Sequence, residues 1–216
     1  MATTTITANA TTRRPAEITK ASYAPLAVLA LAQIGTSSDS AAMNLATASL
    51  VGTLGATLDD IQMATTLFSL IAGAFMIAGG LVGVTIGLHR ALAMGLSLAV
   101  AGEMVAALSP NIFAFTWGGR VIMGLGACLI TPSVLGLVAA LYQGRQRAIA
   151  FGTIAGAAAL STLSPLALGI VMDSSGFRLT FAIMAIYFVL VLCCTRLIPR
   201  TPLSGNHSHF DVAGTI

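Results

Sequence analysis

Residues 112–141 read IFAFTWGGRVIMGLGACLITPSVLGLVAAL, thirty residues with a single charge, Arg120. A helix of that length reaches about 45 Å, more than the ~30 Å hydrocarbon core of a bilayer. Apolar runs this long and this poor in charge are read as membrane spans. Five more runs flank it, so that six spans cover Pro25–Val51, Gln62–Ile86, Ala91–Leu108, Ile112–Leu141, Ile149–Met172 and Leu179–Ile198. Turn-forming clusters separate them: Thr57 to Asp60, Gly87 to Arg90, Ser109-Pro110-Asn111, Gln143 to Arg147, and Asp173 to Gly176. Such short connections make consecutive helices antiparallel neighbours. The fold class expected is all-α, a polytopic membrane bundle of six transmembrane helices.

Composition agrees. Only 8% of the 216 residues are charged and 56% are hydrophobic, against about 25% charged in soluble domains. Mean hydropathy is +0.93. The net charge of +3 comes from residues scattered over short connections. That is not the basic stripe of a nucleic-acid binder, so no nucleic-acid partner is expected. Residues 1–22 read as a flexible N-terminal tail and 23–198 as the six-helix unit. Residues 199–216 read as a linker whose last seven residues, Phe210 to Ile216, look like the start of a truncated further helix.

Lys and Arg set the orientation. With the N-terminus in the cytoplasm, Arg13, Arg14, Lys20, Arg90, Arg145, Arg147, Arg196 and Arg200 all fall on that side. Only Arg178 falls outside, beside Asp59, Asp60 and Asp173. The three cysteines, Cys128, Cys193 and Cys194, read as small buried hydrophobes, and they make no zinc pattern with His89, His207 and His209. No metal and no cofactor is expected.

Three ionisable residues interrupt the spans: Asp39, Glu103 and Arg120. Each is costly in hydrocarbon and needs a partner or a wet cavity. At 1.5 Å per residue, Arg120 lies roughly 15 Å and Glu103 roughly 10 Å below the turn at Pro110. Asp39 lies roughly 20 Å below the same end of the first span. Arg120 therefore has two carboxylates within reach of pairing. A carboxylate held between burial and a cation is what a proton-coupled carrier needs; the plainer reading is a fixed pair that orients helices. Gln33, Ser37, Ser40, Asn44 and Thr47 recur every three or four residues along one face of the first span. That face should line a cavity or hydrogen-bond a neighbouring helix. Gly79, Gly83 and Gly87, and again Gly152 and Gly156, are spaced for close helix packing. Pro132 and Pro165 lie inside spans, and Ser164, Pro165 and Gly169 make the fifth a kinked or deformable helix.

In order along the chain, these residues resemble a family. Asp39-Ser40-Ala41-Ala42-Met43-Asn44-Leu45-Ala46 is similar to the L-D-x-T-I-V-N-V-A signature of bacterial 14-helix drug:proton antiporters, a group within the major facilitator superfamily. Asp60-Ile61-Gln62 resembles the D-L-Q-W that opens the second helix there, with Met63 in place of Trp. Arg120 to Gly124 and Gly126 match R-x-x-x-G-x-G, followed by Pro132-Ser133. Gly144 to Ala148 resembles the basic turn before the fifth helix, and Gly176-Phe177-Arg178 to Phe181 the G-W-R-x-x-F of the sixth. Two motifs depart from the pattern. In the loop after the second helix Gly80, Gly87 and Arg90 stand, but Val84 replaces the acid. In the fifth helix Pro165 and Gly169 stand, but Leu160, Ser164 and Leu168 replace glycines.

The resemblance implies the N-terminal half of a transporter, not an enzyme, in a bacterial cell (inner) membrane. It implies proton-coupled efflux of small amphiphilic or cationic compounds by alternating access. Asp39, Glu103, Arg120, Gln33, Ser37, Ser40 and Asn44 would form the substrate and proton pathway. Gly80, Gly87, Arg90, Gly124, Gly126, Pro165 and Gly169 would serve packing or conformational change. Partners implied are the bilayer, a small-molecule substrate, protons, and a second six-helix half or a second copy, because substrate binds between two halves. The alternative is a non-transporting scaffold or partner subunit. An aquaporin-like channel lacks its Asn-Pro-Ala motifs here, and no Ser/His or metal-ligand pair lies in the spans for an intramembrane enzyme.

Overall fold

A computed structural model of the chain describes residues 23–198, which are helical with no strand among them. The expected N-terminal tail and C-terminal linker lie outside the described residues. Helix α1 runs Tyr23–Leu54, α2 Leu58–Ala74, α3 Met76–Ile86 and α4 Leu88–Leu108. A π-helical stretch, Ala114–Arg120, leads into α5, Val121–Leu141. Helix α6 covers Gly144–Leu160 and α7 Ser164–Cys194, with 3-10 turns at Ser161–Leu163 and Thr195–Leu197.

Local chemistry explains the boundaries. Thr57 opens α2 through a reciprocal cap: its hydroxyl accepts from Asp60 N at 3.2 Å, and its own N–H donates to Asp60 Oδ2 at 2.9 Å. Asn111 Oδ1 accepts from Ala114 N at 2.8 Å at the start of the fourth span. Between α3 and α4 the chain turns on Gly87 alone, at φ 97°, a conformation that suits glycine.

Among the described residues three helical stretches are long and apolar enough to cross a membrane: Leu88–Leu108, Ala114–Leu141 and Gly144–Leu197. The pair α2 and α3, bent by 47° at Phe75, makes a fourth. The 54 residues of Gly144–Leu197 would span about 81 Å if straight. They double back at Gly176, whose φ of 75° and ψ of −177° break the helix. Across this turn Thr180 Oγ1 donates to Met172 Sδ at 3.7 Å. The stretch is therefore two antiparallel spans. Helix α1, 32 residues long, has length to spare, but its polar stripe interrupts its apolar run; packing inside the bundle places it. Six spans result.

Long-range hydrogen bonds fix the directions. Phe177 N donates to Ser49 Oγ at 3.1 Å, and Tyr187 OH to Leu31 O at 2.7 Å, so the second arm of α7 runs antiparallel to α1. His89 Nε2 lies 3.0 Å from Thr195 O, while Arg178 Nη2 donates to Ser109 O at 3.0 Å. The turns at Pro110 and Gly176 thus share one end of the bundle, and those at Gly87 and Thr195 the other.

The core has two parts. One gathers Leu29, Leu92, Leu96, Ile130, Val134 and Phe188. The other, toward the Pro110 end, gathers Met43, Leu50, Phe115, Phe177 and Phe181, whose rings meet edge to face with centroids 5.3–6.5 Å apart. The two meet between Ala99 and Ala106 in α4, between Phe115 and Met123 in the fourth span, and at Ala42–Met43 in α1.

Glycine lets the helices come this close. A Cβ on Gly79 would collide with the Cys128 carbonyl, one on Gly95 with the Gly126 carbonyl at 2.9 Å, and one on Gly102 with Met123 N at 2.7 Å. Other expectations need correction. Nothing lies within 4 Å of a Cβ on Gly152 or Gly156, so that pair packs against no helix of the described chain. Cys193 is exposed. Arg145 and Arg147 belong to the first turn of α6, not to a loop. The Ser161–Leu163 3-10 turn breaks the fifth span just before Pro165, where a single kinked helix was expected.

Substitution tests this division of the glycines. Gly79→Ala should cost about 1–3 kcal/mol by overpacking the α3–α5 contact. Gly156→Ala should be neutral or stabilising, by up to about 1 kcal/mol, because only helix propensity changes. Thermal unfolding in detergent reads both.

Candidate functional site: a buried charge cluster at the seam of the core

Glu103 and Arg120 sit where their spans cross the seam between the two apolar clusters, and Asp39 sits about one turn of α1 from it. Asp39 comes from the middle of α1, Glu103 from α4, and Arg120 from the last position of the π-helical stretch. All are sealed from solvent, with exposures of 0%, 1% and 1%. Arg120 meets Asp39 fork to fork: Nη1 donates to Oδ1 at 2.7 Å and Nη2 to Oδ2 at 2.9 Å. Two parallel charge-assisted bonds fix both distance and plane. The Phe68 ring of α2 lies under the guanidinium, 4.6 Å from Cζ to centroid, a cation–π contact that strengthens away from water.

Glu103 does not join this fork. Both its carboxylate oxygens, and Arg120 Nε, are buried without a hydrogen-bond partner. Asp39 and Arg120 are the charged groups that act on it.

The π-helical stretch explains how Arg120 arrives. Such stretches are rare and concentrate at functional sites. Here Gly118 and Gly119 occupy its wide turn, and a Cβ on either would meet α4, at Val105 (2.7 Å) and Ala106 (2.8 Å). The close approach to α4 carries Phe115, Thr116 and Arg120 into the interior.

The polar stripe of α1 behaves differently from the pair. Ser40 and Asn44 are exposed, and Gln33, Ser37 and Thr47 are half-buried. Its hydrogen bonds among the described residues are local, from Ser40 to Thr36 O at 3.4 Å and from Thr47 to Asn44 O at 3.2 Å. The stripe is an open polar face, not a bond between helices. Thr36 and Ser38, in the same helix, are buried.

The remaining predicted residues scatter. Gly124 packs against α2, where a Cβ would come within 3.2 Å of Ile71 and of Phe68 O. Gly126 faces α4 through the Gly95 carbonyl. Gly80 has only an ordinary neighbour, Pro132 Cβ at 3.8 Å, and Gly169 has none. Arg90 is exposed in the first turn of α4, and Val84, where the resemblance leads one to expect an acid, is 72% exposed. Pro165 starts α7. A separate apolar cavity of about 190 Å³ lies between α1 and both arms of α7, lined by Gly35, Ser38, Ser164, Leu168, Met184 and Tyr187. Phe68 and the π-helical stretch were not foreseen from the sequence. Among the described residues no cluster of three His, Cys, Asp or Glu side chains is arranged to hold a metal.

A bundle of membrane-length helices that shields an ion pair and opens a polar helix face belongs to the class of polytopic membrane proteins. The particular family follows from comparison: residues 29–212 match the Major Facilitator Superfamily, and the chain belongs to it. It is 30% identical over 192 residues to the methylenomycin A resistance protein of Bacillus subtilis, covering 88% of this chain and 41% of that one. It is 28% identical to the probable actinorhodin transporter of Streptomyces coelicolor, covering 89% and 34%. With the methyl viologen resistance protein of Salmonella typhimurium it shares 26%, over 85% and 39%. The chain thus spans about two fifths of the length of these relatives. In fold it is similar to a crystallised peptide transporter bound to sulfate, at a TM-score of 0.72 and 21% identity, over 80% of this chain and 37% of that one.

Breaking the pair from one side should be costly. Arg120→Met leaves Asp39 buried and uncompensated and should destabilise the bundle by about 3–5 kcal/mol. The double variant Arg120→Met with Asp39→Asn should recover most of that loss. A double-mutant cycle in thermal unfolding measures the coupling.

Proposed function

We propose that this chain forms one wall of a proton-coupled exporter of small amphiphilic or cationic compounds that works by alternating access. The observation that carries the proposal is the Asp39–Arg120 fork, sealed in the interior beside an α1 face whose polar side chains bond no other helix among the described residues. In this superfamily substrate binds between two six-helix halves near the membrane midplane. Exposed Ser40 and Asn44 and half-buried Gln33 and Ser37 would line this wall of the cavity. The opposite wall would come from a second half or a second copy of the chain.

In this mechanism the fork is the switch. With Asp39 ionised, two charge-assisted bonds hold α1 to the fourth span. A proton on Asp39 weakens the fork and frees Arg120, and the two helices gain freedom to tilt. A cationic substrate that reached Asp39 as the helices tilt would compete for the same carboxylate, so proton and substrate would exclude one another, as antiport requires. Resistance to methylenomycin A and methyl viologen, in the names of relatives, supports outward transport, and methyl viologen, a dication, supports the cationic class. The Lys and Arg distribution supports a cytoplasmic N-terminus in a bacterial cell membrane.

A second reading, a non-transporting partner subunit, is favoured by Val84 where the resembling motif has its acid. Reconstitution separates the two. The purified chain in liposomes, with a second copy supplying the opposite wall, should take up a fluorescent cationic dye under an imposed pH gradient, and Asp39→Asn should reduce uptake to that of empty liposomes. Uptake indifferent to Asp39 would overturn the switch. No uptake by folded, inserted protein would overturn export by paired copies of this chain and favour a subunit that needs a different second half.

A further inference from the structure

Glu103 presents a problem that the fork does not solve. It is 1% exposed, both of its carboxylate oxygens lack a donor, and it sits within the field of Asp39 and Arg120. Arg120 has spent both terminal nitrogens on Asp39. Other neighbours offer no charge. Helix α3 carries no titratable residue and α5 only the thiol of Cys128; on α7 Asp173 and Arg178 lie at the Pro110 end, where Arg178 is bonded to the carbonyls of Ala107 and Ser109. With Asp39 ionised and Arg120 charged, an ionised Glu103 would leave one net negative charge in an apolar interior without a single hydrogen bond. A buried ion so placed costs several kcal/mol, and such groups neutralise instead. One proton removes the charge and supplies a donor.

We infer that Glu103 is a second proton-binding site, occupied while the fork is closed, and that its proton passes to Asp39 when Arg120 changes partner. The exchange balances. In the closed state Glu103 is a neutral acid, Asp39 a carboxylate and Arg120 its counter-ion. The O–H bond of Glu103 breaks, the proton forms an O–H bond on an Asp39 oxygen, and Arg120 moves its hydrogen bonds from Asp39 to the new Glu103 carboxylate. Net charge stays the same throughout, so no step leaves a bare ion in the interior. Asp39 ends neutral and unpaired. The Nε–H of Arg120 has no partner while the fork is closed, so it too is available to the new carboxylate. The transfer rests on the switch proposed above; the proton on Glu103 does not.

Infrared spectroscopy of the full chain in lipid tests both parts. The probe is the carbonyl stretch of a protonated carboxylic acid at neutral pH, which moves in deuterium oxide. Wild type should show the band. Glu103→Gln should lose it, with an unfolding midpoint equal to wild type because the amide mimics the neutral acid. Asp39→Asn should also lose it, since Arg120 then pairs with an ionised Glu103. A missing wild-type band, or one that survives Glu103→Gln, overturns the proton site. A band that persists in Asp39→Asn overturns the partner change and leaves the site. Because the band is read without transport, a chain that shows it but takes up no dye overturns export by paired copies of this chain and leaves the proton site standing.

Discussion

A guanidinium sealed in hydrocarbon dominates this molecule. Arg120 is among the largest fully buried side chains, and it never loses its charge. Every neighbour is constrained by that fact. Asp39 must come close enough for two bonds, so α1 must pass the fourth span at the level where the apolar clusters meet. Phe68 must lie flat beneath, which draws α2 to the same level. Glu103 shares the space, buried and without a hydrogen-bond partner. The apolar clusters on either side keep water out, and so make the pair both strong when closed and expensive to open one-sidedly. A bundle held only by apolar contact in lipid would have little to fix its register, because lipid tails are as apolar as its side chains. The fork supplies that register.

Much of this was legible in the sequence, and the reason is the solvent. In a membrane, length and charge alone mark a span, so all six were found with boundaries off by a few residues. Charges inside such runs stand out, and Asp39, Glu103 and Arg120 needed no motif to be noticed. The sequence left open which acid Arg120 would take, because two lay within reach by rise per residue. What decides it is the azimuth of each side chain, and that depends on the π-helical stretch. This stretch follows from the approach of Gly118 and Gly119 to α4, a tertiary contact that no local pattern announces. The 47° bend at Phe75 was missed for a similar reason, since no proline marks it.

The glycine spacings show the opposite failure. Gly79 and Gly83 on one side, and Gly152 and Gly156 on the other, look alike in sequence. Only the first pair is buried against a helix of the described chain. Small residues at that spacing permit close contact but do not name a partner. The large exposed side chains of α2, α3 and the first arm of α7, such as Leu70, Ile77, Leu166 and Ile170, pose the same ambiguity. In a membrane protein, lipid and a partner helix select the same surface.

The wide turn ahead of Arg120 also bears on how this span lines up with its relatives. A π-helical turn holds one residue more than an α-helical turn. A relative whose fourth span is α-helical throughout reaches the same inward face with one residue fewer between the Pro110 turn and its arginine. A comparison by sequence alone, counting from that turn, would then set Arg120 one place out of step. The proper ruler for this span starts at Arg120 and counts outward in both directions.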